Sequence, residues 1–473
     1  MSVEKCKRCK ENDPTIRSRK ELFCDGCFLK FVSMKQRKLM MVDEFYRNHF
    51  KVLYGKDLAN DGRSKILVPF DFSSSTLSAL DVLLGLLKEQ NLQHRGRVGF
   101  SLEILTVFRD ESEGKDIEKM WKELQNSGLY DESIWSYINY HMVCADSFFE
   151  NAAELQQIVL HDQDFNAMGI DWRENISPTY NVQTLLDRCP NRNTRNDMWI
   201  FIVRHIIKKY AYQRGDINVI LWGQSMTKMA DQIIGLVVKG RGAHIASSLD
   251  STNDDSDYGN RFRNLYPLKS TLLSQLDAYC IIRKLNRYTL NYDVSDDLFI
   301  TPQKEIDHNH TQNKNVRLVK NMTINELARK YFDEIEGEYS NIISTVLRTG
   351  DKLKPPEIDN SPEISHSDPS KCAICLNVIY SNPSEWLRNI AITKGHPMES
   401  DEERALYEQW KLSHVGLQNE EYMKLRDYAW SDGKDVPLCY GCIINLNGIK
   451  TKELVWPKGN TEELDSVLAE YEL

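Results

Sequence analysis

The chain has 473 residues, a net charge of −9, 41 % hydrophobic and 10 % aromatic residues. That length allows two or three domains and a sizeable core. The charge excludes a wholesale basic coat for nucleic acid, though not a local basic face. No apolar run reaches transmembrane length, and the charged, cysteine-bearing stretch Met1 to Lys10 reads as neither a signal nor a transit peptide.

Eight of the 11 cysteines lie in four C-x-x-C pairs, two near each end of the chain. The first two, Cys6/Cys9 and Cys24/Cys27, are separated by 14 residues, a ribbon-like spacing. A tight turn puts both thiolates of a pair on one side of a knuckle, and two knuckles make a tetrahedral site that suits structural zinc. A redox dithiol or an iron–sulfur cluster is the competing use. In a reducing cytosol or nucleus such clusters read as metal ligands rather than disulfides. Residues 1–60 are read as a zinc module over residues 1 to about 30, too small to hold a core without metal, and an amphipathic helix from Phe28 to Phe50. Lys30, Lys35, Arg37 and Lys38 give that helix a basic edge.

Residues 61–270 carry an α/β pattern. Ile66 to Phe70 suits a strand buried on both faces, the turn Ser73-Ser74-Ser75-Thr76 follows, and leucines from Leu77 to Leu87 recur at helical spacing. Val98 to Val107 reads as the next strand, completing a βαβ unit. Tyr137 to Val143 is a weaker strand candidate. Asn196 to Tyr212 reads as helix, Ile217 to Trp222 as strand, and Thr227 to Val238 as helix, closed by Lys239-Gly240-Arg241-Gly242. Loops at the carboxyl ends of parallel strands are where ligands of open α/β sheets bind. Residues 271–351 read as a helical extension: one helix over Leu268 to Leu290, a polar stretch with His308 and His310, and a helix over Asn325 to Leu347 capped by Thr323. Residues 352–473 hold a proline-rich linker and the second cysteine set, Cys372/Cys375 and Cys439/Cys442, whose pairs lie 63 residues apart. Cys144, Cys189 and Cys280 read as small buried hydrophobes, and His205 as a core histidine.

The Ser73 to Thr76 turn occupies the place of a phosphate loop, but it lacks the glycines that let successive backbone N–H groups close on a phosphate. Pro69 offers no N–H, and Asp71 adds a negative charge close to where a phosphate would sit. The residues therefore read as a helix cap or a degenerate nucleotide loop. After Gly223 only Asp231 is acidic nearby, which does not support a catalytic magnesium site.

Several of these pieces together resemble the cytoplasmic tRNA 2-thiolation protein 2 family. They are the N-terminal pairs with Phe23-Cys24-Asp25-Gly26-Cys27-Phe28 and the basic helix, the stretch Gly223 to Gly242, and the C-terminal pairs. The resemblance implies a parallel-sheet adenine-nucleotide alpha-hydrolase-like core, akin to the PP-loop ATPases, flanked by zinc-ribbon-like modules. It implies a cytoplasmic role in 2-thiolation of the tRNA wobble uridine. The partner would be cytoplasmic tRNA 2-thiolation protein 1, as the catalytic half of a heterodimer. Sulfur would arrive from the thiocarboxylated ubiquitin-related modifier that also serves protein urmylation. A catalytic relative should show Ser-Gly-Gly near positions 69–71; Pro69-Phe70-Asp71 stands there instead. The expectation is a non-catalytic subunit with structural zinc and no productive ATP binding.

For RNA contact the candidates are Lys30, Lys35, Arg37 and Lys38, with Lys239 and Arg241 in their glycine-flanked segment. Arg204, Lys208, Lys209 and Arg214 form a further basic group. A solvated charged face is the plain alternative for each. Two other functions compete: an independently active ATP-dependent sulfurtransferase, which needs a nucleotide site and an activated cysteine, and a zinc-ribbon scaffold without RNA contact.

Overall fold

Ile66, Leu67 and Val68 are fully buried, as a three-residue apolar run with no polar face requires of a strand covered on both sides. In the computed structural model they lie on the central strand of a sheet. The structure describes residues 5–42, 44–54, 63–150, 155–161, 165–171, 180–189, 191–250, 255–290, 298–300, 321–339, 341–356, 370–390, 398–431 and 434–458. His308, His310 and most of the proline-rich linker lie outside them. The chain divides into two units, one of residues 1–147 with 202–355, the other of residues 148–201 with 356–473.

The first unit begins with a hairpin, β1 (Ile16–Ser18) against β2 (Glu21–Phe23). The helices Asp25–Val42 and Glu44–Phe50 follow, close to the single helix expected over Phe28 to Phe50. Then come β3 (Ser64–Pro69), the helix Ser74–Gln93, β4 (Phe100–Phe108) and β5 (Ile138–Cys144). Later in the chain are β8 (Ile217–Leu221), the helix Met226–Val238 and β9 (Arg263–Leu265). The five strands run parallel in the order β5-β4-β3-β8-β9. This is the expected parallel-sheet α/β core. The chain builds outward from β3 first through β4 and β5, and then on the other side through β8 and β9. The order therefore reverses between β3 and β8, and the crevice beyond the carboxyl ends of those two strands is the switch point where such sheets bind ligands.

The expected helix over Leu268 to Leu290 is shorter. It runs Leu273–Ile282 and breaks at Lys284, whose φ of 59° lies in the left-handed region, before a 3₁₀ turn over Leu285–Tyr288. Thr323 caps its helix as expected. Its hydroxyl accepts from Glu326 N–H at 3.1 Å, and Glu326 Oε2 accepts from Thr323 N–H at 2.7 Å.

The second unit holds a four-stranded antiparallel sheet that the sequence reading did not anticipate. Its order is β10-β7-β6-β11, from β6 (Leu155–His161), β7 (Asn166–Asp171), β10 (Lys434–Asp435) and β11 (Glu453–Pro457). Trp456 of β11 packs its ring 4.8 Å from Phe148, edge to face. No helix among the described residues is long and apolar enough to cross a membrane.

One buried carboxylate ties down the helix that follows β3. Asp81, only 4 % exposed in its side chain, accepts from Tyr130 Oη at 2.8 Å, Tyr279 Oη at 2.5 Å and Arg283 Nη2 at 2.8 Å. Removing it leaves a guanidinium and two phenols without their acceptor. Asp81→Ala is expected to cost about 3–5 kcal/mol, the range for breaking one side of a buried pair. The check is the urea midpoint of the full-length protein, which should fall markedly for Asp81→Ala and little for an exposed control such as Glu111→Ala.

Candidate metal centres and the switch-point loop

The four cysteine pairs come together as two sets, Cys6/Cys9/Cys24/Cys27 and Cys372/Cys375/Cys439/Cys442. Within each set all four sulfurs lie within 4.8 Å of one another. The two sets are built alike. The first pair of each lies on a loop closed by a left-handed residue just after it, Lys10 (φ 61°) or Leu376 (φ 62°). That residue's N–H reaches back to the first cysteine's carbonyl, Lys10 to Cys6 at 2.8 Å and Leu376 to Cys372 at 2.9 Å. The second pair of each opens a helix, Asp25–Val42 after Cys24 and Tyr440–Asn447 after Cys439. A helix N-terminus favours thiolate over thiol. In each set an asparagine amide also points at a sulfur, Asn12 Nδ2 at 3.8 Å from Cys24 Sγ and Asn377 Nδ2 at 3.5 Å from Cys375 Sγ.

The donor sets fit one thiophilic cation apiece. Sulfurs about 2.3 Å from a central ion are roughly 3.8 Å apart at the corners of a tetrahedron. Cys9 and Cys24 are 3.9 Å apart and Cys375 and Cys439 3.6 Å. Disulfides are a poor description, since all eight are free thiols and a bonded pair would sit at about 2.05 Å. A cubane, with each cysteine on its own iron, needs wider spacing than a single ion. Charge favours the same answer. Burial works against the Cys6 thiolate, but backbone N–H groups of Cys9, Cys24 and Arg8 outweigh it and bring its pKa down to about 6. Burial and the neighbouring sulfurs push Cys27 up to about 12. In the second set burial and its neighbours raise Cys372 well above the usual thiol value. Four thiolates so close together need a cation among them.

At the switch point, Ser73 caps the helix Ser74–Gln93, its Oγ facing the N–H of Thr76 at 3.5 Å. Asp71 Oδ1 accepts from the N–H of Ser73 at 3.0 Å and from Thr76 Oγ1 at 2.7 Å. From the first turn of the helix Met226–Val238, Lys228 Nζ lies 3.4 Å from Ser73 Oγ and 3.9 Å from Asp71 Oδ2. Partial desolvation works to raise the Asp71 pKa, although its side chain stays 62 % exposed. The Lys228 charge and the donors from Ser73 and Thr76 outweigh it, so the group is held below the usual carboxylate range. Gly223 is required where the two loops meet, because a Cβ there would stand 2.6 Å from Thr76 Cγ2. Asp231 is committed elsewhere: it is buried and receives Arg329 Nη2 at 2.7 Å and Asn325 Nδ2 at 3.2 Å.

The basic candidates separate by environment. Lys30 and Lys38 are exposed. Lys35 is half-buried, donates to Ser270 O and Gln275 Oε1 and stands over the Phe31 ring; burial, helped by Arg19, brings its ammonium down to about 8. Arg37 pairs with Glu89 at 2.5 Å. Lys239 donates to Asn325 Oδ1 at 2.7 Å. Gly240, at φ 68°, ends the helix Met226–Val238, and the N–H of Arg241 closes it on Leu236 O at 2.7 Å. Gly240 thus serves a helix end, and Arg241 is only 3 % exposed. Lys208 pairs with Asp255 and Asp257, and Arg214 with Glu103 and Asp216. His205, read from the apolar helix as a core histidine, is partly buried and hydrogen-bonded: its Nδ1 lies 3.0 Å from Tyr258 Oη, and desolvation with the nearby lysines lowers its pKa to about 4. Cys189 and Cys280 are buried as expected, and Cys144 half-buried.

Residues 323–444 match the model of the family described as Cytoplasmic tRNA 2-thiolation protein 2. Proteins of that name from Candida glabrata, Vanderwaltozyma polyspora and Kluyveromyces lactis are 45 %, 43 % and 41 % identical to this chain. The alignments cover 100 %, 99 % and 99 % of this chain, and 100 %, 96 % and 98 % of those proteins. Among solved structures the chain is similar to the U34-tRNA thiolase NcsA from Methanococcus maripaludis with its 4Fe-4S cluster, at a TM-score of 0.45 and 13 % identity over 84 % of this chain and 100 % of that one.

The donor geometry predicts two equivalents of bound metal per chain. Cys24→Ser and Cys439→Ser should each remove one, and the double variant both. Atomic emission on the purified variants reads this directly; a single substitution that removes both equivalents, or neither, contradicts two independent sites.

Proposed function

Since the chain belongs to the cytoplasmic tRNA 2-thiolation protein 2 family, we propose that it is a cytoplasmic, non-catalytic subunit of the complex that thiolates the wobble uridine of tRNA. Its partner in this reading is cytoplasmic tRNA 2-thiolation protein 1, which carries the intact phosphate loop and adenylates the uridine. Sulfur comes from a thiocarboxylated ubiquitin-related modifier. Zinc is the ion proposed for both four-cysteine sets, since a closed tetrahedral shell of thiolates with no open position is a structural zinc site.

The observation that carries the non-catalytic reading is the switch-point loop. Adenylation needs a cradle of backbone N–H groups around the phosphates and carboxylates free to hold magnesium. Here Pro69 contributes no N–H, Asp71 uses the donors of Ser73 and Thr76, and Asp231 is tied to Arg329. Isothermal titration of magnesium ATP into the full-length protein should show no tight binding. Tight magnesium-dependent binding would refute the non-catalytic role.

The proposed tRNA contact falls on Lys30 and Lys38, the exposed cations of the helix that the first cysteine set opens. A metal holding Cys24 and Cys27 fixes the start of that helix, and so the direction of its basic edge. Reversing both, Lys30→Glu with Lys38→Glu, should weaken tRNA binding by the heterodimer about tenfold or more and reduce its salt slope by about 2, one unit for each lost phosphate contact. Filter binding across a salt series measures both quantities. Unchanged affinity moves the contact elsewhere; no tRNA binding by the unsubstituted protein, alone or with its partner, favours the scaffold reading instead.

A further inference from the structure

Two donors at the start of the helix Ser74–Gln93 are already in use. Asp71 Oδ1 takes the N–H of the capping residue Ser73 and the hydroxyl of Thr76. Lys228, in the first turn of the helix Met226–Val238, reaches over to within 3.9 Å of the same carboxylate. A bound phosphate at a switch point uses the same three things: a helix N-terminus, hydroxyl or N–H donors, and a lysine from a neighbouring element. A second observation concerns the first turn itself. Ser74 Oγ and Ser75 Oγ are fully buried and have no hydrogen-bond partner. Buried hydroxyls without partners are uncommon and costly, so this turn holds more polar groups than its own structure uses.

We infer that Asp71 is a built-in substitute for a phosphate: its carboxylate sits in the anion seat at the N-terminus of the helix Ser74–Gln93, takes the donors and the Lys228 charge an external anion would need, and so closes this loop to phosphates. The inference deepens the non-adenylating reading above and rests on it. A loop that had only lost its glycines would stay unable to bind when one side chain changed. A loop closed by a carboxylate gains an anion site once that carboxylate goes, because the helix terminus, the hydroxyls and Lys228 all remain. Gly223, needed for close approach to Thr76, keeps the two loops together in either case.

The test is titration of inorganic pyrophosphate into the full-length protein and two variants, Asp71→Ser and Asp71→Asn. Asp71→Ser should bind pyrophosphate at least tenfold more tightly than the unsubstituted protein. Asp71→Asn, which keeps the acceptor oxygen and the loop shape but releases the Lys228 charge, should gain less. Adding Lys228→Met to Asp71→Ser should abolish the gain. Folded Asp71→Ser protein with no gain overturns the inference and leaves the non-catalytic reading standing. If Asp71→Ser fails to fold, Asp71→Asn decides: no gain there overturns the inference equally. Tight pyrophosphate or ATP binding by the unsubstituted protein refutes the non-catalytic reading itself. A gain that survives Lys228→Met puts the anion elsewhere and overturns the assignment to this loop.

Discussion

The first unit is organised by the pairing of β3 with two parallel neighbours. Residues 64–69 pair with β4 on one side and residues 65–67 with β8 on the other, and their side chains are enclosed because helices cover both faces of a parallel sheet. The switch-point crevice of that unit is placed by this arrangement. It brings the loop after β3 and the loop after β8 to one crevice, though they lie about 150 residues apart in the chain. It also sets the direction of the helix Ser74–Gln93, which Asp81 then secures through Tyr130, Tyr279 and Arg283.

The chemistry in that crevice runs against nucleotide binding. A phosphate loop works because glycines let N–H groups converge and because the site is positive and otherwise empty. This one is filled by its own side chain, and its lysine already faces a carboxylate. The cysteine sets are the opposite case. Both repeat one construction, a loop knuckle with a left-handed residue after it and a second knuckle at a helix start. That construction recurs at two places separated by more than 300 residues, and in both it presents four sulfurs at the spacing a tetrahedral ion would take.

How much could be read from the amino-acid sequence varied with how local the determining interaction is. The strand at Ile66 to Val68, the helices of the core and the cap at Thr323 follow from periodicity and neighbouring residues, and they stand where expected. The end of the helix near Lys284 and the antiparallel sheet of the second unit do not follow from such signals. That sheet pairs β6 with β11 and β7 with β10 across more than 260 residues, and long-range pairing leaves little trace in a short window. The basic candidates show the same limit: Lys30, Lys35, Arg37 and Lys38 look equivalent along the chain, yet Lys35 and Arg37 are engaged by Gln275 and Glu89.

The sequence by itself determined the ligand chemistry of the four C-x-x-C pairs, the missing glycines of the loop after β3 and the kinship of the chain, since each depends on which residues are present and how closely they are spaced. Only the tertiary structure decided which cysteine pairs join, that Asp71 and Lys228 face one another, that Arg241 is buried and that Asp231 answers Arg329. Each depends on side chains meeting in space, which spacing along the chain does not give; the Asp71–Lys228 contact exists only once the parallel sheet has brought the carboxyl ends of β3 and β8 to one edge.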